Sequence, residues 1–159
     1  MSLNSFNFNT TPGIRYGSGQ AKDSCKEIFD KLGSRILFIT DKGLMSLGLT
    51  KSTIDELKKM SEVEVFDDVE ADPSKKTLLK VIEIGKKFKA TGVIGFGGGS
   101  SMDVAKLSAL ILGSNEDLEK AWGVANAKGP RLPLVLVPTT AGTGSEVTPI
   151  SIITVGEEE

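Results

Sequence analysis

Gly92-Val93-Ile94-Gly95-Phe96, followed by Gly97-Gly98-Gly99-Ser100 and a helical run from Ser101, decides how this chain folds. An apolar strand that stops at consecutive glycines and turns straight into a helix leaves several backbone N–H groups pointing at open space. They lie beside the positive end of the helix dipole, which makes the turn an anion site that suits phosphate. Glycine is needed because a Cβ would hold a phosphate off the backbone, and because such turns often require φ > 0. Ser100, three residues before Asp103, predicts a capping box that fixes the start of the helix. The competing reading is a tight strand-to-helix turn that binds nothing.

Working outward, apolar runs of strand length alternate with stretches of helical spacing. Strands are predicted at 14–16, 35–40, 63–66, 92–96, 134–137 and 151–155. Helices are predicted at 20–32, in a broken region over 42–47 and 52–60, at 74–89, at 101–112 and at 118–122, with Gly33 and Pro73 as stop and start signals. Ala21, Cys25, Ile28, Phe29 and Leu32 recur at helical spacing, so Cys25 reads as a buried filler rather than a reactive thiol. Strict alternation of this kind predicts a single α/β domain over residues 1–159, with a doubly wound, mostly parallel sheet. Ligands of such sheets bind beyond the carboxyl ends of the strands. Asp41, the Gly97 loop and the loop from Thr139 all fall at such ends.

Composition narrows the function. At 159 residues, 39% hydrophobic and 25% charged, the chain has the make-up of a soluble globular domain. A net charge of −2 gives no basic surplus, so nucleic acid and acidic membrane surfaces are not expected partners. No apolar run is long enough to span a bilayer, and the start MSLNSFNFNTTPG has no export pattern. One unpaired cysteine suits a reducing, cytoplasmic setting. There is no histidine, which removes Ser-His-Asp triads, Cys-His pairs and HExxH zinc sites from this chain.

The usual dinucleotide fingerprint fails here, because Ser100 stands where its third glycine belongs. A Walker loop fails too, since no Gly-Lys-Ser/Thr occurs. An acidic residue closing a strand does exist, upstream at Asp41. A carboxylate there can accept from adenosine ribose hydroxyls and repel a 2′-phosphate, favouring NAD over NADP; it can equally be a simple helix cap. The hydroxyls of Thr139, Thr140, Thr143 and Ser145 suit ribose, phosphate or a carboxamide.

GFGGGSSMDVAK over 95–106 and LPLVLVPTTAGTGSEVTPISIIT over 132–154 resemble the iron-containing, or group III, alcohol dehydrogenase family. ITDKGLMSLGL over 39–49 and TPGIRYGSG over 11–19 resemble it as well, so the likeness runs from about residue 6 to the end. It implies an N-terminal Rossmann-like domain that holds NAD(P), followed in full-length members by a helical domain carrying a divalent metal, iron or zinc. By the same likeness Gly97, Gly98, Gly99 and Ser100 hold the pyrophosphate and Asp41 faces the adenosine ribose. Thr139, Thr140, Thr143 and Ser145 line the cofactor, while Asp103 and Thr148 face the nicotinamide end. Where many relatives carry Asn, this chain has Asp72.

Family members are more than twice as long, and their metal ligands lie beyond the point where this sequence stops. The expectation is therefore a chain that binds NAD, carries no catalytic or metal-ligating residue of its own, and has little or no turnover. The parent reaction is reversible hydride transfer between a small alcohol and its aldehyde. A second expectation is a non-catalytic nucleotide-binding or assembly module acting through its surface as a homo-oligomer. A third is a relative of glycerol dehydrogenase, which shares the glycine loop.

Overall fold

Two strands of β-branched and large apolar residues form the centre of the fold, and every neighbouring element packs against them. The computed structural model describes residues 11–123 and 125–156. The residues before Thr11 and the final glutamates, onto which the family likeness and the single-domain expectation extend, lie outside the described residues. β1 (Arg35–Ile39) and β3 (Gly92–Gly97) run parallel, with β2 (Glu62–Phe66) on the far side of β1 and β4 (Leu134–Pro138) on the far side of β3. The sheet order is β2-β1-β3-β4 and every pairing is parallel.

Side chains alternate across β1, and this alternation separates two cores. Ile36 and Phe38 join Ile94 and Phe96 of β3 on one face, under α2 (Cys25–Leu32) and α4 (Lys51–Leu57). Leu37 and Ile39 join Val93 on the other face, under α5 (Lys75–Phe88) and α6 (Gly99–Ser114). Phe38 and Phe96 stack with ring centroids 5.6 Å apart. Gly95 lets α6 lie close on β3: a Cβ there would come within 2.6 Å of the Ala105 Cβ and 2.9 Å of a Leu136 methyl. Helix α6 is apolar on nearly every side because it is covered by the sheet and by α5 at once.

After β1 the chain crosses one face through α3 (Lys42–Ser46) and α4 to reach β2. It returns over the opposite face through α5 to β3, on the other side of β1, and α6 then leads to β4. The order of progression therefore reverses between β1 and β3. The connections that leave their carboxyl ends run to opposite faces, the arrangement beyond which ligands of such sheets bind, here past Ile39 and Gly97.

The elements follow the predicted pattern with four physical corrections. Residues 14–16 form no strand and are exposed, because nothing pairs with them among the described residues. The first helix is broken at Ser24 into α1 (Gln20–Asp23) and α2. Residues 151–155 do not join the sheet; Thr154 makes one parallel bridge to Ser74, donating its N–H to Pro73 and accepting from Lys75 N. Helix α6 begins at Gly99, with Gly98 as N-cap and no side-chain cap. The expected capping box of Ser100 and Asp103 does not form, because the Asp103 carboxylate is engaged elsewhere. Between α6 and β4 lies α7 (Leu118–Ala121), near its expected place.

Candidate functional site at the strand ends

Three segments converge on the crevice between β1 and β3. Asp41 stands one residue past β1, after Thr40, and caps α3, its Oδ1 accepting from Leu44 N at 2.9 Å. Its backbone is held by an antiparallel bridge to Asp68. The second oxygen, Oδ2, lies 3.4 Å from the point where a Cβ on Gly97 would be. The carboxylate thus serves as cap with one oxygen and faces the glycine loop with the other. Both readings of Asp41 are compatible with this geometry.

The glycine loop keeps its backbone open. Gly97 has φ +155, and a Cβ on it would lie 2.7 Å from the Ser101 hydroxyl. Added Cβ atoms on Gly98 and Gly99 would meet only Thr140 and Thr143, at 3.6 Å, so the glycine loop lies against the threonine loop. The first helical bond of α6 runs from Met102 N to the Gly98 carbonyl at 3.2 Å. With no side-chain cap on this helix, the amides of its first turn face the groove without a capping side chain. An uncapped helix start of this kind is where an anion is favoured.

The third segment follows β4. Thr139 N donates to the Gly97 carbonyl at 2.9 Å, which ties the start of the threonine loop to the end of β3. Thr140 and Thr143 then face Gly98 and Gly99. The loop ends in a short 3-10 turn over Ser145–Val147, and Thr143 Oγ1 accepts from Ser145 N at 3.3 Å. Of the predicted site residues, the structure brings Asp41, the three glycines, Thr139, Thr140 and Thr143 around one groove. Ser100 lies in the first turn of α6 beside it.

Asp103 and Ser145 form a second, buried cluster, to which the exposed Thr148 brings only its backbone carbonyl. Ser145 Oγ donates to Asp103 Oδ1 at 2.6 Å, and Ile152 N donates to Asp103 Oδ2 at 3.0 Å. Both Asp103 and Ser145 are buried. Lys106 completes the cluster, with Nζ 2.9 Å from Asp103 Oδ1. It also donates to Ser145 Oγ at 2.8 Å, to the Ser145 carbonyl at 3.0 Å and to the Ile150 carbonyl. The Thr148 carbonyl lies at 3.4 Å from the same ammonium. Sequence reasoning passed over Lys106, although a signal was present: it and Asp103, three residues before it, are the two charges in the mostly apolar run MDVAKLSALIL.

Among the described residues no three of His, Cys, Asp or Glu come together, and the sequence holds no histidine. Two surface depressions, of about 330 and 290 Å³, lie away from the groove, the first beside Cys25 and the second beside Met45 and Ile54. Neither collects the groups that meet at the strand ends. We take the groove as the site because backbone amides, a carboxylate and hydroxyls converge there. Burial, helped by Glu56 and Asp23, pushes the Cys25 thiol above its ordinary value, which agrees with a filler role.

Comparison with known proteins gives one consistent result. The family model for iron-containing alcohol dehydrogenase matches residues 11–159. Choline dehydrogenase of Bacillus subtilis is 38% identical over 150 residues, covering 92% of this chain and 37% of that protein. Sulfoacetaldehyde reductase of Bilophila wadsworthia is 33% identical over 145 residues, covering 91% of this chain and 38% of the relative. Among solved structures, sulfoacetaldehyde reductase from Bifidobacterium kashiwanohense in complex with NAD+ superposes with a TM-score of 0.81 at 31% identity. That superposition covers 96% of this chain and 40% of the other. The chain thus spans about two-fifths of the length of the relatives it matches, at their N-terminal part.

Proposed function

The chain belongs to the iron-containing alcohol dehydrogenase family, and from that premise we propose that it is the part of such an oxidoreductase that binds NAD(H) at the crevice between β1 and β3. The observation that carries the reading is the meeting of three segments at the strand ends, where Gly98 and Gly99, at a helix start without a side-chain cap, lie against Thr140 and Thr143, and Asp41 lies by Gly97. The pyrophosphate lies on the first turn of α6, where amides and the helix dipole favour an anion. The adenosine ribose lies toward Asp41, whose free oxygen accepts from its hydroxyls and repels a 2′-phosphate. NAD is therefore preferred over NADP. The threonine hydroxyls line the other wall toward the nicotinamide.

When bound, the nicotinamide supplies a carbon that takes or gives a hydride, and a small alcohol or aldehyde is the partner of that exchange. This chain's own residues bind and orient the dinucleotide. The 159-residue chain is accordingly expected to bind NADH with little or no turnover. Calorimetric titration with NADH and NADPH tests this: saturable binding with NADH preferred supports it, and a folded chain that binds neither contradicts it. A metal-dependent steady-state rate from the same chain would contradict the catalytic half alone.

A second reading is self-association through the edge strand β4 and the apolar residues beside it. Ile150, Ile152 and Val155 are 56%, 72% and 53% exposed, which is a patch that water does not favour. No described helix is long and apolar enough to cross a membrane. A reducing, cytoplasmic setting suits the free thiol of Cys25. Light scattering that returned a monodisperse monomer would remove the self-association reading.

A further inference from the structure

Lys106 is the only cation on α6, and its side chain is 10% exposed, so its charge has to be balanced from within. All of its partners come from two places. One is Asp103, a turn earlier on the same helix. The other is the 145–150 segment, which contributes the Ser145 hydroxyl and the carbonyls of Ser145, Thr148 and Ile150. That segment has little regular structure, because its only element is the three-residue turn over Ser145–Val147. Its residues from Thr148 to Ile150 are exposed on their outer side. The ammonium thus supplies the directed bonds that a strand or helix would otherwise supply to these carbonyls.

We propose that Lys106 is a positioning residue for dinucleotide binding: with Asp103 and Ser145 it latches the threonine loop onto α6 and holds the groove open in its binding shape. The proposal rests on the cofactor reading of the groove. The loop is pinned at both ends, by Thr139 N on the Gly97 carbonyl and by Lys106 on Ser145 to Ile150. Between the pins lie Thr140 and Thr143, the residues that face Gly98 and Gly99. Without the second pin the loop must be ordered when the ligand arrives, and that cost reduces affinity. Asp103 and Ser145 then act through the latch, since the Ser145 hydroxyl already donates to Asp103. The Asp41 end of the groove does not touch this cluster.

The test compares wild type, K106M and K106R on the 159-residue chain. Amide hydrogen exchange is measured without ligand, and NADH and 5′-AMP are titrated by calorimetry. K106M is expected to raise exchange over 143–152 at least tenfold, with protection in β1 and β3 unchanged. It is expected to weaken NADH at least tenfold and to leave 5′-AMP, which reaches the Asp41 end and the glycine loop, within twofold. A merely structural role would weaken both ligands together and raise exchange throughout. K106R keeps the charge opposite Asp103 but replaces a compact ammonium with a planar fork, so it recovers part of the NADH affinity. It carries the test if K106M does not fold. Unchanged exchange over 143–152, or equal losses for the two ligands, overturns the latch. Failure of wild type to bind NADH overturns the cofactor reading instead, together with the ligand role of Lys106, while exchange still decides whether the lysine holds the loop.

Discussion

Asp41 Oδ2 lies 3.4 Å from where a Cβ on Gly97 would stand, so a carboxylate and the glycine that begins the phosphate loop meet although 55 residues lie between them in sequence. This closeness is what the reversal of strand order between β1 and β3 produces.

Replacing Asp41 separates its two roles. Asp41→Ala removes the cap on Leu44 N and is expected to cost about 1 kcal/mol of stability. Asp41→Asn keeps a good capping oxygen but loses the charge, so its stability stays close to wild type. Both variants are expected to bind NADH roughly tenfold more weakly, the size of one lost hydrogen bond to a charged group, and to tolerate NADPH better. Thermal unfolding beside titration with the two cofactors checks this. An Asp41→Asn chain that still prefers NADH as strongly as wild type would show that the carboxylate is a cap and nothing more.

Gly99→Val tests the cradle. A Cβ there meets Thr143 at 3.6 Å, which is ordinary contact, so the folded state accommodates the β-carbon. Stability at this half-buried position is expected to fall by about 1 kcal/mol, while the larger side chain occupies the face of the glycine loop and NADH binding falls below detection. Gly97→Ala is different, because φ +155 and the Ser101 hydroxyl at 2.7 Å oppose it even without ligand. Far-UV circular dichroism and melting curves should show Gly97→Ala the more destabilised of the two and Gly99→Val still folded.

The contrast between these glycines also shows what the sequence could tell. Strands β1 and β3 and helix α5 were legible because apolar periodicity and flanking stop signals agree on them. The convergence of Asp41, Gly97 and Thr139 was legible too, since an α/β alternation places strand ends on one side. The role of Asp103 was not. Its spacing from Ser100 fits a capping box, but the helix begins at Gly99, and a carboxylate beside Lys106 and the Ser145 hydroxyl finds stronger partners there. Residues 151–155 failed for a related reason. Their alternation suits a strand, but Asp103 takes the Ile152 amide and the end of α5 takes Thr154.

Acid sensitivity should centre on Glu70. Burial alone would raise its pKa, but the Ser74 amide at 2.9 Å and the hydroxyls of Thr77 and Ser74 outweigh it and hold the carboxyl below its ordinary value of 4.5. A carboxylate with a lowered folded pKa adds stability above its unfolded pKa and loses it as pH falls through the folded one. Glu70 is exposed, so the contribution is at most about 1 kcal/mol. Melting temperatures of wild type and Glu70→Gln should differ most near neutral pH and converge in acid below 4.5. A difference that stays constant down through that range would place the effect in packing rather than in the charge.

Gly95 tests whether the close approach of α6 to β3 is needed for the fold. Its position in a fully buried strand leaves no room for a methyl group, because Ala105 Cβ would be 2.6 Å away and a Leu136 methyl 2.9 Å away. Leu136 can turn aside, but Ala105 cannot move without lifting the helix from the sheet. Gly95→Ala is therefore expected to cost about 1–3 kcal/mol by overpacking, and Gly95→Val more. If α6 is lifted, its first turn moves away from Thr140 and Thr143, and NADH affinity falls even in molecules that remain folded. Shortening Ala105 to Gly in the Gly95→Ala background removes the clash at its source. The pair should recover much of the NADH affinity, and stability except for the crowding that remains at Leu136 and Met102 and the cost of a glycine in mid-helix, about 1 kcal/mol. If Gly95→Ala matched wild type in both melting temperature and affinity, the helix would be free to shift on the sheet, and the groove would owe its shape to the loops alone.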